Sequence, residues 1–317
     1  MHLTRLVKDG MIVLKRMKVP LYSNKYSKKT YTIHQLLLCL CIKEIQQQSY
    51  RDCRDFIDDF DRLQETLEIP SVPHFTTMQK ALQRFPPRWY KMILKRFICL
   101  LKSRANAVID GTGVVQTKAS HSYITRIGRT IQKRDYFKEI IVLDPDDGYI
   151  LTFQGAHGHY HESPYFIQLL EEIPIPLDEV CGDKAFDSEN NQRYVIKHRK
   201  ATSYVDVKGT PKRGRHRKRV YKKKHTAEWK QRYKQMRNAI ESKNFSLKHR
   251  FGDYIPGKTI YSRRRYLAIR VLAANLMVLH KSGNITFFIL ILIEDFYRPI
   301  FWKCLYNAPL YYNNGGK

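Results

Sequence analysis

Residues 107–113 read AVIDGTG, and at this stretch the pattern along the chain changes from helical to strand-like. The apolar residues at its start predict a short buried strand that ends at Asp110. A second stretch, VCGD at 180–183, predicts another short strand that ends at Asp183. A carboxylate at a strand end is held by rigid backbone, and neighbouring glycines let a substrate or an ion approach. Because Mg²⁺ prefers carboxylate oxygens and keeps positions open for phosphate, the pair is suited to metal chemistry on phosphates. The alternative is that each aspartate only caps a turn.

The segments around these two stretches complete a mixed sheet. A strand is predicted at 136–143, a turn of sequence PDDG at 145–148, and the hairpin partner at 149–153. A helix over 164–172 precedes the second aspartate strand, and a last strand is predicted near 204–207. This order of strand, hairpin, helix and strand is typical of an α/β fold in which helices flank a mixed sheet.

Residues 1–104 are predicted to form a separate N-terminal region. Residues 1–30 are basic and polar and suggest a mobile arm that lies on DNA. Residues 31–102 show helical spacing interrupted by prolines, with Ser49 and Asp52 placed to form a capping box. Short helices with tight breaks are typical of helix-turn-helix DNA readers. The alternative is a helical bundle that only packs on the next domain.

Residues 105–283 are predicted to form the second domain, and 208–224 within it is a dense basic block. The block reads KGTPKRGRHRKRVYKKK, and its glycines and proline exclude an early helix. We expect it to be disordered or to lie along nucleic acid. Long helices are predicted at 226–249, capped by its first residue, and at 262–281. The aromatic tail 284–317 fits no element.

The helix predicted over 226–249 carries two stripes, which lie roughly 90° apart at 100° per residue. The apolar stripe consists of Trp229, Tyr233, Met236, Ile240 and Leu247. The polar stripe consists of Arg237, Glu241, Asn244 and Lys248. The helix can therefore bury one face while Glu241, between two cations, faces a site. The alternative is an ordinary surface pair between Arg237 and Glu241.

Two further groups of residues have chemistry-bearing side chains. The alternating His157, His159 and His161 would share one side of a strand, but the remaining ligands of a zinc site are missing. Asp187 is a candidate supporting group or helix cap beside Asp183. The sequence contains no Walker-type glycine loop, zincin helix or GxSxG elbow, so these enzyme classes are excluded.

The charge balance points to a polyanionic partner. The chain of 317 residues has 57 lysines and arginines against 29 aspartates and glutamates, a net charge of +28. Such an excess is typical of proteins that bind nucleic acid, because phosphates attract the cations and binding releases counterions. The six cysteines form no CxxC pair and are typical of reduced thiols in the cytosol. No signal peptide opens the sequence, and the longest apolar run, 285–293, is too short to span a bilayer.

Three sequence blocks together resemble the DDE transposases of prokaryotic insertion sequences, in the large group numbered four and five. The blocks are VIDGTG (108–113), CGDKAFDS (181–188) and RNAIESKNFSLKHRFG (237–252). The resemblance extends over about residues 22–282. The third block matches the spacing of that group's Arg…Glu…Lys signature. The signature's usual tyrosine would fall at Lys234, and Tyr233 stands one residue earlier.

The resemblance implies a fold and a mechanism. The mixed sheet would be RNase H-like, with the first aspartate at the end of its first strand and the second at the end of its fourth. Asp110, Asp183 and Glu241 would be catalytic and would bind two Mg²⁺ ions, for which Mn²⁺ can substitute. Arg237 and Lys248 would hold the DNA strand near the cut.

The resemblance also implies partners. The N-terminal helices and the basic block would bind double-stranded DNA, both the terminal inverted repeats and the target. The candidate DNA-binding residues of the block are Lys212, Arg213, Arg215, Arg217, Lys218, Arg219, Lys222, Lys223 and Lys224. Because two element ends must be joined, we expect a homodimer on DNA, without a membrane partner. We expect it in the prokaryotic cytoplasm, associated with the nucleoid.

Three other interpretations belong to different functional classes. A decayed, non-catalytic DNA-binding protein would bind DNA but would not nick it. A structural RNA-binding protein of ribosomal type would explain the charge but not the ordered carboxylates. An RNase H-fold nuclease would cut DNA without joining it.

Overall fold

A five-stranded mixed sheet forms the centre of the structure, a computed structural model that describes residues 2–116, 126, 128 and 136–283. The strands are β1 (Ala105–Val115), β2 (Tyr136–Leu143), β3 (Ile150–His157), β4 (Leu177–Gly182) and β5 (Thr202–Val205). Their order across the sheet is β3-β2-β1-β4-β5. The first three strands pair antiparallel, whereas β4 and β5 run parallel to β1. The predicted mixed sheet flanked by helices is confirmed, and the arrangement is consistent with an RNase H-like fold.

The hairpin between β2 and β3 forms where the turn sequence predicts it. Gly148 donates its backbone N–H to the carbonyl of Asp144 (2.9 Å) and has a φ of 78°, a conformation that favours glycine. The Asp144 side chain accepts from the backbone N–H of Asp146 (3.1 Å) and pairs with Lys102. The turn therefore holds its own buried carboxylate in place.

Six helices precede the sheet. They are α1 (Leu3–Arg16), α2 (Ile33–Ile45), α3 (Tyr50–Asp58), α4 (Asp61–Leu67), α5 (Phe75–Arg84) and α6 (Pro87–Leu101). The predicted capping box of Ser49 and Asp52 at the start of α3 is confirmed. Every residue of α2 is buried, and its side chains belong to the same hydrophobic core as those of β1 and β2. These contacts are those of a helical bundle that packs on the next domain, the alternative given above. A role of the helices in reading DNA stays a prediction.

The prediction of a mobile basic arm over residues 1–30 is wrong for Leu3–Arg16, which forms helix α1. Leu6, Val7 and Leu14 of this helix are almost completely buried. Five α-helices follow strand β3 in the part of the chain that the structure describes. They are α7 (Tyr165–Glu172), α8 (Glu189–Arg193), α9 (Arg215–Lys223), α10 (Ala227–Phe251) and α11 (Ile260–Ser282). Helix α1 packs against α2, α4 and α11.

Helices α1 and α11 meet closely. A methyl group on Gly10 would come within 2.6 Å of Leu38 and 3.3 Å of Leu276, so a larger residue would require these leucine side chains to shift. Next to it, Nδ1 of His280 lies 2.8 Å from a carboxylate oxygen of Asp9. The two contacts join the first and the last helix of the described chain.

The basic block differs in part from its prediction. Its first residues, 208–214, are irregular as expected, but Arg215–Lys223 forms the helix α9 instead of a disordered segment. The predicted cap of α10 is confirmed, because the hydroxyl of Thr226 accepts from the backbone N–H of Trp229 (3.3 Å). The predicted tail, 284–317, lies outside the described residues. No helix within the described ranges is both long enough and apolar enough to cross a membrane.

Candidate active site

Asp110 lies where β1 separates from its parallel neighbour. The strand does not end there, as the sequence predicts, but continues to Val115 because the residues after Asp110 still pair with β2. The pairing with β4 stops at Ile109 opposite Gly182. Asp183 follows directly after Gly182. The two predicted aspartates therefore lie next to each other, directly after the last residue pair between the parallel strands β1 and β4.

The Asp110 carboxylate is mostly buried and is held by two side chains of α10. Nη1 of Arg237 donates to its Oδ1 over 3.1 Å, and Nδ2 of Asn244 donates to its Oδ2 over 3.0 Å. Burial raises the pKa of the Asp110 carboxyl; Arg237 opposes the rise and the charge of Asp183 adds to it. The Asp110 carboxylate is therefore less well solvated than in water, and its charged form depends on hydrogen bonds from Arg237 and Asn244.

Asp183 has a structural role in addition to its position. Its Oδ1 accepts from the backbone N–H of Ala185 (2.8 Å) and caps the short turn Lys184–Phe186. This contact is the turn-capping alternative considered from the sequence. One carboxylate oxygen is engaged in this way, and the side chain is partly exposed at the sheet edge.

Glu241 is the most exposed of the three carboxylates. Its side chain is 59% exposed, and its Oε1 accepts from Nη2 of Arg237 over 3.1 Å. The i, i+4 pair that the sequence offered as the alternative is therefore present. The same guanidinium also binds Asp110, so Arg237 links the carboxylate of the sheet to the carboxylate of the helix.

The stripes of α10 explain this arrangement. Trp229, Met236, Ile240 and Leu247 of the apolar stripe are buried, and Tyr233 packs partly against the core. The polar stripe lies beside it and reaches the end of the pairing between β1 and β4. Helical spacing and one buried face are thus sufficient to bring Arg237 and Asn244 to Asp110.

Asn244 is a site residue for which the sequence suggested no role. Its Oδ1 is buried without a hydrogen-bond partner in the described structure, although its Nδ2 binds Asp110. The signal was its position between Glu241 and Lys248 on the polar stripe.

Lys248 lies near the fully buried Glu139 of β2. Burial raises the pKa of the Glu139 carboxyl, and Arg270 and Lys248 oppose the rise.

The structure divides the predicted DNA-binding cations of the basic block into two sets. Those with exposed side chains are Lys212, Arg213, Arg215, Lys218, Arg219, Lys222 and Lys223. Arg217 and Lys224 are instead engaged in ion pairs, with Asp187 and Asp206 respectively. Asp187 therefore does not touch Asp110 or Glu241 but binds the basic helix.

The three predicted metal ligands do not form a ready-made metal cluster. Within residues 2–116 and 136–283, no group of three or more histidine, cysteine or acidic side chains is arranged to hold an ion. Arg237 is the cation that Asp110 and Glu241 share. His157 and His159 stack with ring centroids 5.8 Å apart, and they too belong to no such group.

Residues 103–276, more than half of the chain, match the model of the transposase DDE domain family. The chain belongs to this family of DDE transposases. The matched segment contains all five strands, Asp110, Asp183 and Glu241. Transposases of this family act on DNA and carry out DNA transposition and recombination. The resemblance to DDE transposases is thereby confirmed.

The chain is also similar to a solved transposase structure. Among solved structures, the chain is similar to a chain in the "Cryo-EM structure of piggyBac transposase synaptic complex with hairpin DNA". The TM-score is 0.44 at 9% sequence identity, and the match covers 89% of this chain and 73% of that chain. A comparison with curated proteins found no match.

Proposed function

We propose that this transposase binds the terminal inverted repeats of an insertion sequence and catalyses metal-dependent DNA cleavage and strand transfer. The observation that carries the proposal is the meeting of Asp110, Arg237 and Glu241 beside Asp183, where the pairing between the parallel strands β1 and β4 ends. The resemblance to the insertion-sequence group numbered four and five supports a prokaryotic element.

Asp110, Asp183 and Glu241 are the residues that would hold the divalent ions, two Mg²⁺ ions with Mn²⁺ as a substitute. The donor set fits, because all three offer the hard oxygen ligands that Mg²⁺ prefers. Arg237 supports the fit, since Asp110 and Glu241 lie close enough to share one cation. When bound, such ions supply Lewis acidity at phosphorus and activate water or a DNA 3′-hydroxyl.

Arg237 has two roles in this proposal. In the free protein its guanidinium offsets part of the charge of two carboxylates that would otherwise repel a DNA phosphate. When DNA is bound, Arg237 would exchange a carboxylate for a phosphate oxygen, a partner that suits the planar guanidinium equally well. Lys248, on the same polar stripe, would bind a neighbouring phosphate of the DNA strand.

Binding of two element ends requires more than one copy of the site. We propose a homodimer on DNA, which also contacts the target duplex. The N-terminal helices and the exposed cations of the basic block would supply the DNA contacts. The protein would act in the prokaryotic cytoplasm, at the nucleoid.

Replacement of Glu241 tests the proposal. Glu241 is largely exposed, so Glu241→Gln should fold normally while losing the charge that a divalent ion requires. Loss of the metal contribution, several kcal/mol, should reduce nicking about a thousandfold while DNA binding persists. The measurement is nicking and joining of a supercoiled plasmid that carries the gene with its flanking DNA.

Glu228→Gln is the matched control, since it removes the same charge from an exposed position on the same helix. It should nick like wild type. A Glu241→Gln variant with wild-type nicking would refute the assignment of Glu241. Wild-type protein that binds the plasmid but never nicks it would support the decayed transposase instead. Nicks without joined products would support a nuclease.

The metal requirement is a separate prediction. Mg²⁺ and Mn²⁺ should support nicking, whereas Ca²⁺ should support DNA binding only, because Ca²⁺ takes longer and more irregular coordination. Nicking rates measured with each ion and with excess EDTA provide the test. Full activity in EDTA would contradict the proposed role of the three carboxylates.

A further inference from the structure

We infer that Asp187 and Glu189 are positioning residues that hold the basic helix α9 as a rigid surface for the phosphate backbone of duplex DNA. This inference rests on the proposed function and deepens it. It distinguishes the cations that bind DNA from those that fix the helix in place.

The surface consists of one face of α9. Its exposed cations follow helical spacing and line an open groove of about 660 Å³: Arg215, Lys218, Arg219, Lys222 and Lys223. No ion pair involves any of these five side chains within the described part of the chain. Like charges three and four residues apart repel one another on a helix, so the face destabilises α9 in the free protein. A polyanion is the partner that removes this repulsion.

The start of α9 is equally unfavourable without outside help. Its first turn has no acidic residue, although the positive end of the helix dipole favours one. Glu189 supplies the missing charge from another segment. Its carboxylate accepts from the backbone N–H groups of His216 (3.1 Å) and Arg217 (3.0 Å). Burial alone would raise the pKa of the Glu189 carboxyl, but these hydrogen bonds keep that pKa below its usual range.

The close contact leaves no room for a side chain before the helix. Gly214 has a φ of 92°, and a methyl group there would lie 2.4 Å from Oε2 of Glu189. Glycine is therefore required both by the backbone conformation and by the approach of the carboxylate.

Asp187 forms the second anchor. Its side chain is only 1% exposed and accepts from Nε (2.9 Å) and Nη2 (2.6 Å) of Arg217. This paired geometry is the strong form of a charge-assisted contact. Oδ2 also accepts from the backbone N–H of Lys208 (2.9 Å). A carboxylate buried this deeply has no access to DNA or to a metal ion, so its function is to hold Arg217 and the loop.

The far end of α9 is fixed as well. Lys224 donates to Oδ1 of Asp206 (3.2 Å) and to the carbonyl of Val207 (2.8 Å). The backbone N–H of Asp206 in turn donates to the carbonyl of Gly182 (3.1 Å), which directly precedes Asp183. All anchors thus lie on the segments that follow β4 and β5. The basic face is attached to the edge of the sheet that carries Asp183.

Asp187→Asn should change the DNA affinity in the direction opposite to the one that its charge change predicts. Asp187→Asn increases the net positive charge by one, so simple electrostatics predicts tighter DNA binding. Loss of the anchor predicts the opposite, because the apparent affinity falls in proportion to the docked fraction of α9. If that fraction drops to about one third, affinity drops about threefold.

The experiment measures binding of the full-length protein to a 30-base-pair duplex of arbitrary sequence, without divalent ions, over a range of KCl concentrations. Asp187→Asn and Arg217→Gln should each weaken binding at least about threefold. The double variant should be no weaker than the worse single variant, because both remove one contact. Lys218→Gln, with the same charge change as Arg217→Gln, should instead lower the log–log salt slope by about 0.9.

Hydrogen exchange supplies a second readout. Amides of α9 should exchange faster in Asp187→Asn and in Glu189→Gln, while those of β1 stay as in wild type. If Asp187→Asn alone fails to fold, the same comparison is made with Glu189→Gln, which also adds one positive charge. An anchor variant that folds and binds as well as wild type, or better, would overturn the inference alone. A wild-type protein that does not bind the duplex would overturn the proposed function as well.

Discussion

At the residue scale, one guanidinium controls the charge of the site. Arg237 contacts Asp110 and Glu241 at 3.1 Å each, and it is the only described cation that pairs with either of them. Sequence spacing predicts that Arg237 and Glu241 form a pair along the helix. It does not predict that Asp110 joins them, because that contact depends on how α10 packs across β1.

The raised pKa of Asp110 leads to a stability prediction. A carboxyl whose pKa is higher in the folded than in the unfolded state stabilises the fold fully below the unfolded pKa. That contribution is lost as pH rises through the folded pKa. Asp110→Asn stays neutral, so it should melt at a higher temperature than wild type at pH 7, with the gain shrinking towards pH 4.

Thermal melts of Asp110→Asn and wild type between pH 4 and pH 8 test this expectation. Asp59→Asn, the same change at an exposed position, should show no such trend. Under the proposed function, Asp110→Asn should also lose nicking, which would make it a stabilised but inactive enzyme. A destabilised Asp110→Asn at pH 7 would show that the Arg237 contact outweighs burial.

At the scale of elements, prediction succeeded where the signal was local. Strand 136–143 and the turn after it have their predicted bounds, because apolar runs and turn chemistry are read from adjacent residues. Helix α1 was missed although Leu3, Leu6, Val7 and Leu14 have helical spacing, since the basic residues between them suggested an arm. Helix α9 could not be predicted, because Asp187 and Glu189, which stabilise its start, lie about thirty residues earlier.

The exposed face of α9 leads to a second prediction. Lys222→Ala combined with Lys223→Ala removes two exposed cations, so the log–log salt slope of DNA binding should fall by about 1.8. The loss should be equal on all duplex sequences, since phosphates carry no sequence information. Binding isotherms on two unrelated duplexes test this. A loss confined to one sequence would mean that the face reads bases.

At the scale of the whole molecule, the helical region and the sheet share one hydrophobic core. The sequence predicts two regions with a boundary near residue 104. The buried side chains of α1, α2 and α11 nevertheless form one cluster with those of the sheet. The physical reason is that every residue of α2 is buried, so other elements must cover this helix on all sides.

A core substitution in α1 tests the importance of this shared core. Leu6 is fully buried, so Leu6→Ala should lower the free energy of unfolding by about 2–5 kcal/mol. The helix and sheet signals should melt together. Leu21→Ala, at a leucine that is 48% exposed, is the matched control and should cost much less. An unchanged melting temperature for Leu6→Ala would show that α1 does not contribute to the shared core and would support a detached arm.

The contact between α1 and α11 also sets the order of events during synthesis. Among the described elements, helix α1 is made first, and the helix that covers Gly10 and pairs with Asp9 is made last. At typical rates of translation, α1 waits on the order of tens of seconds for this partner. A product that stops before α11 leaves the side of α1 that α11 covers exposed, so we expect it to be cut by proteases faster than the full-length protein.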